Sequence, residues 1–170
     1  MIAGLLKGLA AIERAAACVL LAALLVSVML QVISRYVFHS PLPWTDEVSR
    51  FLLVWLTFIA AAWVMSERMH VTVDVAVARL GVRTTAFIDS IATAIVVVAS
   101  GVIMAAGVTL ARHTADVLAP ATQLPMPILY SAGVVGFGLV AIHGIATIVQ
   151  NFREPQSVPG GVENLEEGGL

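Results

Sequence analysis

The chain has 170 residues, of which 59% are hydrophobic and only 12% charged, with a formal net charge of −2. Soluble domains carry about 25% charged residues, and a fold this small could not hide so much apolar surface from water. Composition therefore excludes a water-soluble globule, the near-neutral charge excludes a nucleic-acid partner, and the single cysteine, Cys18, excludes an intrachain disulfide or a cysteine metal cluster.

Residues 1–14 read as an amphipathic lead-in, with Leu5, Leu6, Leu9 and Ile12 at helical spacing among Lys7, Glu13 and Arg14. Span one covers about 15–37. Its apolar run, Ala15–Ile33, exceeds the about 7–15 residues of a signal-peptide core, and Arg35-Tyr36-Val37-Phe38 follows in place of a small-residue cleavage site. Ser40-Pro41-Leu42-Pro43 breaks the helix. Trp44 suits the water–lipid boundary, and Trp55 reads as a second interface anchor. Thr45 is placed to cap span two, about 46–65, with Asp46 and Glu47 in its first turn and Arg50 snorkelling to the interface.

Val71 to Val77 alternates like a strand, but a lone strand beside lipid leaves its backbone unpaired. The segment 70–81 is predicted instead as an interfacial stretch that turns helical after Asp74 and stops at Gly81. Span three covers about 85–110. Ala119-Pro120 and Pro125-Met126-Pro127 form the next break, and span four covers about 128–149. The tail, 150–170, is poor in apolar residues and rich in Gly, Pro and Glu, so it is expected to be disordered. The fold class is thus all-α integral membrane: four transmembrane helices with short amphipathic interfacial segments, in the lipid bilayer. Lys7, Arg14, Arg68, Arg79, Arg83 and Arg153 fall on one side, and only Arg35, Arg50 and Arg112 on the other. This asymmetry predicts both termini in the cytoplasm.

No catalytic residue, cofactor or metal site is expected. His113 and His143 stand roughly 20 Å apart in depth at helical rise, and His70 lies between spans, so no pair can sandwich a haem. The spans offer few polar groups near mid-membrane, Ser27, Gln31, Thr57, Ser100 and Thr109 among them, too little for a transport pathway of the chain's own. Gly101-x-x-x-Ala105, Gly107-x-x-x-Ala111 and Ala132-x-x-x-Gly136 allow close helix approach, within the chain or against a partner. The densest polar cluster is Arg35, Asp46, Glu47 and Arg50. It reads either as a surface ion pair or as a polar knot that sets the angle between spans one and two or docks a partner subunit.

Several segments resemble the small membrane subunit of the tripartite ATP-independent periplasmic (TRAP) transporters, the DctQ-type component. They are Gln31-Val32-Ile33-Ser34-Arg35-Tyr36-Val37-Phe38 at the end of helix one; Pro43-Trp44-Thr45-Asp46-Glu47-Val48-Ser49-Arg50 and then Trp55 in helix two; His70-Val71-Thr72-Val73-Asp74; and Leu124-Pro125-Met126 through Tyr130, then Gly136-Phe137, at helix four. Asp46, Ala60 and Val134 depart from the family pattern, where glutamate, glycine and proline are usual. The resemblance implies a non-enzymatic subunit in a bacterial inner membrane that scaffolds a large membrane transport subunit. A periplasmic substrate-binding protein, which this chain would help dock, would deliver an organic acid such as a dicarboxylate or sugar acid for sodium-driven import. The rival function is a membrane anchor for a redox enzyme complex, which would need the cofactor site that the histidines do not provide.

Overall fold

In a computed structural model, which describes residues 2–66 and 82–153, the chain forms four long helices. They are α1 (Ile2–Tyr36), α2 (Pro43–Ser66), α3 (Val82–His113) and α4 (Pro127–Arg153). All four are long and apolar enough to cross a bilayer, as an all-α, four-span membrane protein requires. The expected interfacial segment 70–81, with His70 and Asp74, lies outside the described residues, as does the tail beyond Arg153. α1 runs unbroken through the residues read as a lead-in, and α4 takes in the first residues of the expected tail.

The breaks follow local chemistry. α1 ends where His39 enters the left-handed region (φ 51°), with the Phe38 and Ser40 amides closing back on the carbonyls of Ile33 and Ser34. α2 begins at Pro43, whose missing N–H costs nothing in a first turn. Thr45 was expected to cap α2. The helix starts two residues earlier, so Thr45 lies inside it, and both its amide (3.2 Å) and its hydroxyl (2.7 Å) donate to the Leu42 carbonyl.

α1 packs on α2, α2 on α4, and α4 on α3, an order that makes α4 and α2 central and α1 and α3 flanking. Burial agrees: 33% of the span of α4 and 22% of that of α2 are buried, against 11% for α1 and for α3. The flanking helices are inside-out relative to soluble ones. On α1 the protected stripe is Glu13, Ala16, Ala17, Leu20, Ala23, Ser27, Gln31 and Ser34, while Val19, Leu25, Val26 and Met29 face outward. On α3 the stripe is Ser90, Thr93, Val97, Ser100, Met104, Gly107 and Ala111, while Ile91, Ile95, Val98 and Val102 face outward. Lipid solvates the large side chains as well as a protein core would, so small residues and polar contacts decide which faces meet.

Two glycines on α4 allow this closeness. A Cβ at Gly136 would stand 2.5 Å from Cβ of Phe58 and 3.0 Å from its carbonyl oxygen. A Cβ at Gly144 would stand 2.5 Å from Val97 and 3.3 Å from Met65. Beside them Ala62, Met65 and Val140 form a buried apolar cluster flanked by Val96 and Leu139. Gly101, by contrast, has no neighbour within 4 Å of where its Cβ would be, so it takes no part in this packing.

Candidate functional site

Charged and polar side chains gather at the two ends of the bundle. The loop end carries the α1–α2 and α3–α4 connections. The terminal end carries the start of α1 and the finish of α4.

At the loop end, the expected cluster of Arg35, Asp46, Glu47 and Arg50 divides into three parts. Asp46 and Arg50 pair at 3.0 Å, one turn apart on α2, with both side chains more than half exposed. Arg35 sits over the ring of its neighbour Tyr36, 5.9 Å from the centroid, with no ion pair among the described residues. Glu47, about 100° round the helix from Asp46, faces the α3–α4 loop. Its carboxylate accepts the Ala121 amide at 2.9 Å, the Thr122 amide at 2.8 Å and the Thr122 hydroxyl at 2.8 Å. Mutual pairing of all four was geometrically available, but three converging donors hold the Glu47 carboxylate more fully than one flexible guanidinium.

The loop so held is compact. The Ala119 amide donates to Leu124 O (2.9 Å), Gln123 N to Ala119 O (3.0 Å) and Met126 N to Val117 O (2.9 Å), with Gln123 left-handed at φ 56°. Leu118 and Pro125 face each other in an isolated bridge. The carbonyls of Pro125 and Met126 then accept the Ile128, Leu129 and Tyr130 amides that open α4. Of the other family-motif residues in α4, half-buried Tyr130 sits in the first turn, and Gly136 is the contact point for Phe58.

Trp44 stands at the start of α2, 41% exposed, where an aromatic suits the interface. Trp55 lies about three turns farther in, and its indole N–H donates to Ile128 O at 3.1 Å, tying α2 to α4. Ser27 ties α1 to α2, donating to Thr45 O (3.3 Å) and accepting from Ser49 (2.9 Å).

The terminal end holds contacts that the spacing of residues did not suggest. His143 Nε2 lies 2.9 and 3.1 Å from the two carboxylate oxygens of Glu13, with both side chains 3% exposed. Asn151 donates to Asp89 (2.6 Å) and Ser90 (3.4 Å), joining α4 to α3. One available signal was that Glu13, Ser27 and Ser34 fall at multiples of seven along an otherwise apolar helix. The partner of Glu13, 130 positions away, had none. His113 spends Nδ1 on the Thr109 carbonyl (2.9 Å), and no group of three metal-binding side chains occurs among the described residues.

The family model described as tripartite ATP-independent periplasmic transporters, DctQ component, matches residues 24–154. A protein of Haemophilus influenzae, provisionally named a TRAP transporter small permease protein, is 30% identical over 130 residues, covering 76% of this chain and 81% of that one. The isethionate TRAP transporter permease protein DctMQ of Oleidesulfovibrio alaskensis is 27% identical over 112 residues, 65% of this chain. Only 18% of that longer protein is covered.

Proposed function

This chain belongs to the DctQ-component family of TRAP transporters, and from that premise we propose that it is the scaffold of a three-part importer. The large membrane subunit moves the solute inward, driven by sodium. A periplasmic binding protein delivers an organic acid, and this chain supports the large subunit and helps dock the binding protein. The match over residues 24–154, which reaches all four helices, carries the reading. The DctMQ relative supports the partnership, because there a segment similar to this chain lies within a much longer permease. The site chemistry agrees with a scaffold: Ser27, Trp55, Glu13 and Asn151 each bond across to a neighbouring helix. In this reading the membrane is the bacterial inner membrane, with the loop end periplasmic and the terminal end cytoplasmic.

The test is reconstitution. Pull-down from native membranes should recover the large subunit. Proteoliposomes holding both subunits and the binding protein should take up an organic acid only under an inward sodium gradient. Uptake by this chain alone, or undiminished uptake without it, would overturn the proposal. Labelling from outside intact cells should reach a cysteine at Ala121 and not one at Gln156.

A further inference from the structure

α1 is 35 residues long, about 52 Å at helical rise, far more than a hydrocarbon core of about 30 Å requires. Something must fix its direction. Ser27 fastens it to α2, and Glu13 lies about four turns nearer the N-terminus on almost the same face of the helix. At that depth the Glu13 side chain crosses to His143 on α4.

We propose that the Glu13–His143 pair is a latch that sets the angle at which the N-terminal third of α1 leaves the bundle. Opening it frees that third without disturbing the Ser27 contact. Beyond the latch none of the described side chains is fully buried: a Cβ at Gly4 or Gly8 would meet nothing within 4 Å, Ile12 is 68% exposed, and Leu6, Leu9 and Ala10 are half-buried. Half-buried apolar side chains gain little from protein that lipid does not supply, so apolar burial by itself does not fix the direction of this stretch. The imidazole N–H and the carboxylate can fix it, since neither finds another partner in hydrocarbon. The pair is sealed, and the donor reaches both carboxylate oxygens, which restricts the side-chain angles on both helices.

The experiment uses the full chain in lipid nanodiscs with exposed Cys18 replaced by alanine. Spin labels at Gly8 and Ile145 report the latch, and labels at Val26 and Leu53 report the Ser27 region, all four positions being exposed. The parent should give one narrow Gly8–Ile145 distance distribution. Glu13→Ala and His143→Ala should each lengthen and broaden it, the double variant no further, while Val26–Leu53 stays as in the parent. The exchange Glu13→His with His143→Glu should restore the narrow distribution. Unchanged Gly8–Ile145 distances in the single variants would show that packing alone orients α1. Broadening of both label pairs would show that the contact holds the whole bundle, and failure of the exchange to restore the distance would deny the pairing its role. Each of these results overturns the latch.

Discussion

The two ends of the bundle use carboxylates in opposite ways. At the loop end Glu47 is half-buried and directed at backbone amides, so its charge organises a loop and remains near water. At the terminal end Glu13 is sealed and directed at a side chain on another helix. The first can lose its charge and be rehydrated, whereas the second leaves an orphan in low dielectric. A carboxylate near the membrane edge therefore matters in proportion to what remains when it is removed.

The largest expected effect breaks the terminal end. Glu13→Ala or His143→Ala should each lower bundle stability by about 3 kcal/mol, the upper end of the cost of leaving a buried hydrogen-bonding group without its partner. Denaturation in mixed micelles with a double-mutant cycle measures it, and the double variant should cost far less than the sum. A coupling near ~0.6 kcal/mol, the average for interhelical hydrogen bonds in membranes, would equate this pair with the neutral fasteners.

Next come the close approach of α2 and α4 and the hydroxyl contact of α1 and α2. Gly136→Ala should cost about 1–3 kcal/mol, as overpacking does, because the new methyl meets Phe58 backbone that cannot yield cheaply. Gly101→Ala, facing open space, should leave the isolated chain unchanged. A loss confined to the complex would instead place Gly101 against a partner. Ser27→Ala should cost about 0.6 kcal/mol and no more than ~1.7, read from the same denaturation curves.

Four spans could be read from composition, proline breaks and length, because the bilayer leaves a helix as the only continuous single-segment solution. Pro43, Pro125 and Pro127 mark α2 and α4 to within a few residues. What could not be read was which polar residue meets which. Arg35, Asp46, Glu47 and Arg50 are neighbours in sequence, and local spacing suggested one knot. The Glu47 partners lie 74 and 75 positions away, and pairing at that range depends on the helix order α1, α2, α4, α3. Periodicity reports which face of a helix is special, not what stands opposite. Glu13 and Asn151 escaped for the same reason.

The smallest expected effects sharpen the loop end. Asp46 and Arg50 are both more than half exposed and one turn apart, a geometry worth about 0.3–0.5 kcal/mol in solvated helices. Asp46→Asn and Arg50→Gln should therefore each shift the stability of the isolated chain by no more than about 0.5 kcal/mol, and Arg35→Gln, which has no ion pair among the described residues, by no more than these. Glu47→Gln should differ in kind. It removes one acceptor from a three-donor clamp, so hydrogen exchange at the Ala121 and Thr122 amides should accelerate while the Asp46–Arg50 turn is unaffected. Recovery of the large subunit then separates two roles for the cluster. If only Glu47→Gln weakens recovery, the ordered loop is what the partner meets, and the exposed ion pair is a solvated face. If Arg50→Gln weakens recovery as strongly, while barely changing the isolated chain, Arg50 must lose its water on assembly. The pair that is weakest alone would then lie within the subunit interface, where an orphaned charge costs several times its exposed value.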